Sequence, residues 1–390
     1  MRYNFFLFLA SAVFTHAIFA QSAPEVGFPV LRTEHFEIHA APGDAEILAR
    51  QMEGRFAAYN QVFRFNPERL ARPLRVRAFR DREQYERYVA ARIEGPVPPG
   101  AVYLHFAQAE LRELVIHLGN ESSTLPFQAF IQFLRAFVPN PPAWIRDGFG
   151  VHFATLGFDS EGELTHRENL IWLDAVKAMP ELPSPESIMR TLTPETMENF
   201  PGLAWSLVSF FLNSSNENYL RSLAEGFMML SYPNTVEENI AGVVSRITMW
   251  NDMGDLARDH LEYLYSRNSF IDLIAKGQAA YIGGRPAEAA AIFRSALEIR
   301  SDHYAPWYYL GLMAYNAGDT VTAERYYRIA LSFGADNASI LFAMALNAAT
   351  AGRTDEAIAL LRQTAVLAPD RFGERTERLI EQLDNIRERR

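Results

Sequence analysis

The chain has 390 residues, with 37 Lys and Arg against 47 Asp and Glu for a formal charge of −10, and no cysteine. That acidity argues against nucleic acid as a partner, since such binding needs basic patches that displace counterions. The missing cysteines exclude disulfides, thiol chemistry and a lipidated-cysteine anchor, and with Lys177 and Lys276 as the only lysines a catalytic lysine has no support.

Residues 1–20 carry Arg2 as their only charge, then an apolar run from Phe5 to Phe19, then Ala20. This pattern predicts a secretory signal peptide cut after Ala20 or Ala23, and so an exported bacterial protein, periplasmic or secreted. No later stretch is long and apolar enough to span a bilayer as a helix, so no transmembrane span is expected in the mature chain. Between Glu34 and Leu118 strands and helices mix. His35 to His39 alternates as a half-buried strand does, Asp44 to Phe63 has helical spacing, and Leu74 to Phe79 is a second strand. Asp81 to Arg92 is a helix, 95–100 a Gly- and Pro-rich loop, and Ala101–Phe106 with Leu111–Leu118 a hairpin. From Leu125 the spacing is almost wholly helical. Thr165 with Glu168, and Thr235 with Glu238, have the spacing of capping boxes that open helices, and Pro180, Pro183 and Pro185 break the run between them. The expected organisation is an α+β unit at 24–160 and a helical subdomain at 161–268.

From Phe270 the chain matches itself every 34 residues. Gly277, Gly311 and Ala345 share one register, as do Gly284, Gly318 and Gly352, and Ala289, Ala323 and Ala357. Leu273, Trp307 and Leu341, then Phe293, Tyr327 and Leu361, hold the large positions. Small residues let paired helices approach, large ones fill the gap to the next pair, and a glycine past each first helix supplies a left-handed turn. A fixed period of this kind predicts an all-α solenoid. Trp307, Leu310, Gly311, Ala314, Ala323, Tyr327 and Ala330 make the segment resemble the tetratricopeptide repeat (TPR) family, with units at 270–303, 304–337 and 338–371 and a capping helix at 372–390. Pro369 alone keeps the proline at the unit end. The resemblance implies a concave peptide-binding groove lined by Ile274, Gln278 and Tyr281, by Tyr308, Leu312 and Tyr315, and by Phe342, Leu346 and Ala349. These are mostly apolar and aromatic, so the expected occupant is an apolar peptide or helix, or the remaining part of the same chain.

The segment Leu125–Leu156 carries Trp144, Asp147, Gly148 and Phe153 in a W-x-x-D-G pattern. It resembles the gluzincin zinc metallopeptidases, in particular the peptidase-MA-like group. In that family one helix carries H-E-x-x-H and the next supplies a glutamate as third ligand. The resemblance implies a gluzincin-like fold and puts Gln128 and Gln132 where the His ligands would be, Ala129 where the base would be, and Asp147 at the third ligand. Amide oxygens are weak zinc ligands, and Ala129 cannot accept a proton from water. These four positions are therefore vestigial: no catalytic residue, no metal and no cofactor are expected. His35 and His39 lie four apart on a strand, roughly 13 Å, and His152 stands alone, so none rebuilds the site. Ser206 has no His or acid near it in sequence. The expected function is that of a non-catalytic interaction or assembly protein, binding a protein or peptide through the concave face. Two alternatives stand beside it: a hydrolase with a site around Asp147 and His152, and a purely structural envelope component.

Overall fold

The computed structural model describes residues 28–119 and 124–388, so the expected signal peptide at 1–20 lies outside the described residues. The chain forms two compact units that divide between Ser266 and Arg267.

The first unit opens with β1 (Val30–Arg32), β2 (Phe36–His39), helix α1 (Pro42–Phe63), β3 (Leu74–Phe79), α2 (Arg82–Ala90), β4 (Ala101–Leu104) and β5 (Glu113–His117). The five strands make one sheet in the order β1-β2-β3-β5-β4. The three central strands are parallel, and β1 and β4 run antiparallel to them at the two edges. The expected alternation holds in β2, where Phe36 and Ile38 are buried and Glu37 and His39 only half so. The central strands are covered on both faces. Val76, Ala78, Leu114 and Ile116 join the core under α1, while Phe79, Val115 and Val102 pack with Tyr85 and Val89 of α2. On that second face Glu113 is buried with Arg77, whose Nε lies 3.2 Å from its carboxylate, and Tyr88 donates its hydroxyl to the same group. Pairing is what makes buried charges tolerable there.

The chain continues through α3 (Leu125–Phe137), α4 (Ala143–Phe153), a two-stranded hairpin of β6 (Gly157–Phe158) and β7 (Leu164–Thr165), and helices α5 (Leu173–Lys177), α6 (Pro185–Arg190), α7 (Phe200–Asn213), α8 (Glu217–Phe227), α9 (Val236–Trp250) and α10 (Met253–Ser266). The 24–160 and 161–268 segments share one core: Phe130 and Trp144 belong to the same cluster as Leu203, Val243 and Leu256. Phe63 stacks on Phe227 at 4.4 Å between ring centres, and Tyr59 pins α1 to the start of α3 by donating its hydroxyl to the Pro126 carbonyl at 3.0 Å. The capping box of Thr235 and Glu238 is present and opens α9. The one expected at Thr165 is not. Thr165 pairs with Gly157 in the small hairpin, and Glu168 instead accepts a hydrogen bond from Ser209 at 2.6 Å on α7. A tertiary partner has taken the side chain that a local cap would need.

The second unit is all helix. Its pairs are α11 (Phe270–Ile282) with α12 (Pro286–Ile299), α13 (Tyr304–Asn316) with α14 (Thr320–Ser332), and α15 (Asn337–Thr350) with α16 (Thr354–Leu367), followed by α17 (Pro369–Glu388). The chain turns after each first helix at Gly284, Gly318 and Gly352, with φ of 69°, 79° and 76°, a left-handed conformation that side chains with a Cβ rarely adopt. The Phe293 and Tyr327 rings lie directly over Gly277 and Gly311, which is why that register is held by small residues. Leu379, Ile380 and Leu383 of α17 pack on the third pair as expected of a capping helix, while Ile386 is exposed. Among the described residues no helix is long and apolar enough to cross a membrane.

Candidate functional site

The segment carrying the zinc-peptidase resemblance folds as two buried helices joined by a short loop, α3 and α4. Gln128, Gln132 and Arg135 sit at i, i+4 and i+7 on α3, one stripe of the helix. Gln128 accepts a hydrogen bond from the backbone N–H of Tyr103 at 2.9 Å, a group on the edge strand β4. Gln132 is buried and donates its amide to the Arg75 carbonyl on β3 at 2.8 Å. Ala129, between them, is buried in apolar core. The two amides thus bind sheet backbone.

Asp147 goes elsewhere. If the resemblance held, the glutamine amides would be expected to donate to Asp147, but the structure overturns that expectation. Asp147 is gripped bidentately by Arg146, with Nε to Oδ1 at 2.6 Å and Nη2 to Oδ2 at 2.8 Å, both residues buried. Adjacent helical residues do not normally face each other, but the long guanidinium arm bends back to reach its neighbour. A second guanidinium, Arg135, is 9 % exposed and donates to the Pro139 carbonyl at 3.1 Å. Burial, with Arg146 close by, pushes its pKa down to about 10. Among the described residues no three His, Cys, Asp or Glu side chains gather in a way that could hold a metal ion.

The other nominated residues are not brought to this site. His35 binds Glu53 at 2.7 Å and stacks on Phe56, and His39 binds Glu37 at 2.9 Å. His152 lies five residues beyond Asp147, against His166 and Phe153, with its Nδ1 buried and unbonded. Ser206 does have a histidine near it, which sequence distance concealed: His260 Nε2 is 3.0 Å from its Oγ, 54 residues away. Both are enclosed in the helical core, and the serine hydroxyl donates to the Leu203 carbonyl at 2.7 Å. No substrate can reach that pair.

These two imidazoles make stability pH-dependent. Burial lowers His152 to about 3, with His166 adding to the effect, and lowers His260 to about 4. Both are therefore neutral in the fold, while the unfolded chain takes up protons near pH ~6.5. Stability is full above that pH and falls below it, by about 1.4 kcal/mol per pH unit for each histidine, until the folded-state values are reached. Burial holds His105 down to about 3 in the same way, so the urea midpoint is expected to drop between about pH 7.5 and 5.5, and His260→Gln to remove about a third of the drop. An unchanged midpoint would mean that all three rings reach solvent.

In the second unit Ile274, Gln278 and Tyr281 lie on α11, Tyr308, Leu312 and Tyr315 on α13, and Phe342 and Leu346 on α15. Most are half-buried. The tyrosine hydroxyls are linked along the array: Asn316 donates to Tyr281 at 3.0 Å and Thr350 to Tyr315 at 3.3 Å. Tyr308 packs against Tyr309 and Tyr327. Phe342 needs correction as a groove position. It is 6 % exposed, stacked on Phe372 of α17 at 5.0 Å with Arg375 over its ring, so the chain's own helix covers it. Leu346 packs at the same place.

No family model matches the chain. No curated protein matches it either. Among solved structures, the NMR structure of the first TPR domain of the human RPAP3 protein is similar to 30 % of this chain and 90 % of its own, at 12 % identity and a TM-score of 0.28. The TPR-like description of the second unit stands on its own three helix pairs and their 34-residue period.

Proposed function

We propose that this is an exported, non-catalytic protein that binds or assembles another protein through its TPR-like array, in a chain whose first unit is a degenerate zinc-peptidase-like domain. The observation that carries the non-catalytic part is the state of the four motif positions. Gln128 and Gln132 are tied to sheet backbone, Ala129 is apolar, and Asp147 is held by a guanidinium. A cation fixed by covalent attachment stands against the carboxylate that the family would offer to a metal. The binding part rests on the array, since stacked helix pairs present an extended surface that is used for partner chains. Export is argued from residues 1–20 alone.

Two measurements test this. Mass spectrometry of the dialysed mature chain is expected to find zinc far below one atom per chain, and near-stoichiometric zinc would overturn the non-catalytic reading. Tyr308→Ala with Tyr315→Ala is expected to abolish capture of a crosslinked partner from the native envelope fraction. Undiminished capture would sink the groove as the binding face.

A further inference from the structure

A cavity of about 180 Å³ lies at the end of the sheet in the first unit, where α3 crosses the starts of β3 and β5. Tyr103, Gln132, Arg72, Arg75 and Arg112 contribute its polar wall, with Glu37 and Glu110 as its acids. The charges are unevenly satisfied. Arg75 has Glu37 at 3.7 Å, and Glu37 also holds His39 and Arg32. Arg112 donates to two backbone carbonyls, Phe106 at 2.6 Å and Ala107 at 3.2 Å, and among the described residues no carboxylate pairs with it. Arg72 is exposed, and no acid pairs with it among the described residues. Behind the wall, Arg135 is enclosed and donates to the Pro139 carbonyl, and the buried carboxylates Asp147 and Glu113 are already occupied by Arg146 and Arg77. Three arginines thus line the cavity against two glutamates, with buried Arg135 behind them, so this corner carries net positive charge in a chain whose net charge is −10.

A second observation is independent of charge. Gln132 is 2 % exposed and spends its amide N–H on Arg75, but its Oε1 has no partner. A buried acceptor left unbonded costs about 1–3 kcal/mol, which an incoming N–H would recover once the Gln132 amide turns slightly toward the cavity that its residue lines.

We propose that this cavity binds the C-terminal end of a peptide, its carboxylate between Arg112 and Arg72 and its last backbone N–H toward Gln132. One small terminal residue suits the volume, which is below the roughly 300–1,000 Å³ typical of whole-ligand pockets. Guanidiniums are the natural partners of a carboxylate, and the carboxylate supplies the negative charge that Arg112 and Arg135 lack. The inference does not depend on the zinc-peptidase resemblance: zinc found at Asp147 would sink that resemblance's non-catalytic reading and leave this pocket standing.

Calorimetric titration of the full mature chain with acetyl-Ala-Ala-Ala, as free acid and as carboxamide, tests it. The free acid is expected to bind at least about tenfold more tightly than the amide, and Arg112→Gln to remove that preference. Arg112 also braces its loop, so Arg72→Gln, at an exposed position, is the second variant, expected to weaken the acid by about threefold or more without a change in Tm. Equal binding of acid and amide, or no saturation of either by about 10 mM, overturns the proposal. So does acetyl-Ala-Asp-Ala carboxamide binding as tightly as the free acid, because the site would then read any carboxylate side chain. Sodium acetate matching the peptide acid would likewise reduce the pocket to a simple anion site and overturn it.

Discussion

Gly148→Ala is expected to destabilise the first unit by about 3 kcal/mol, at the upper end of what overpacking costs. Helix α4 crosses α7 at this residue with no room for a side chain. A Cβ there would lie 2.5 Å from the Ala204 carbonyl oxygen, 2.7 Å from its carbon and 2.8 Å from a Val208 methyl. The first two are backbone atoms of a buried helix, so relief requires one helix to move. Both helices lie in the shared core, with Trp144 and Trp205 fully buried on them, and any movement opens gaps elsewhere. For a unit of this size a loss of that order lowers Tm by roughly 6–12 °C. Gly43→Ala is the control: it lies in the first turn of α1 with nothing within 4 Å of its would-be Cβ, and should leave Tm unchanged or slightly raised. A Gly148→Ala protein that melts with the wild type would show that the two helices do not cross here.

Asp147→Ala should cost about 3–5 kcal/mol, the penalty for stranding one member of a buried ion pair. The stranded group would be Arg146, enclosed and close to a second guanidinium on Arg135. Replacing both Arg146 and Asp147 with Leu should return much of the loss, because the damage comes from the unpaired charge. Urea unfolding measured with and without a chelator separates the structural role from a metal-binding one. The same loss in both conditions is expected. A loss that disappears once the chelator is present would mean that Asp147 matters through a bound ion, and a loss under about 1 kcal/mol would mean that the pair is solvated.

The sheet and the array were legible because their signals are periodic and local. Phe36 and Ile38 alternate with polar residues, and the 34-residue register places Gly318 and Tyr327 without any long-range information. The short strands β1 and β6 were not legible, having two or three residues each and no pattern to detect. Thr165 and Glu168 show the limit from the other side. Their spacing is that of Thr235 and Glu238, yet only the second pair caps a helix, because Ser209 and Tyr263 approach Glu168 from 41 and 95 residues away. At Gln128, Ala129, Gln132 and Asp147 the residue types were plain in the sequence. The partner of Asp147 was hidden: Arg146 is adjacent to it, a spacing at which helical side chains point apart, and nothing in the sequence says that one arm bends back. The partners of Gln128 and Gln132 are backbone groups on strands, invisible to any reading of side-chain motifs.

The placement of α17 has a consequence for growth. A stack of like helix pairs is a polymer waiting for its next monomer, since the last pair offers the same apolar surface that every earlier pair has buried. Here Phe372, Leu379, Ile380 and Leu383 occupy that surface on one side of a single helix. Glu374, Arg375, Glu377, Arg378 and Glu381 stand exposed on the same helix. A second copy arriving end-on at α17 meets mixed, hydrated charge where it would need a row of Leu and Phe. The helix that covers the third pair is thus also a terminator on that face, keeping a like pair from stacking there.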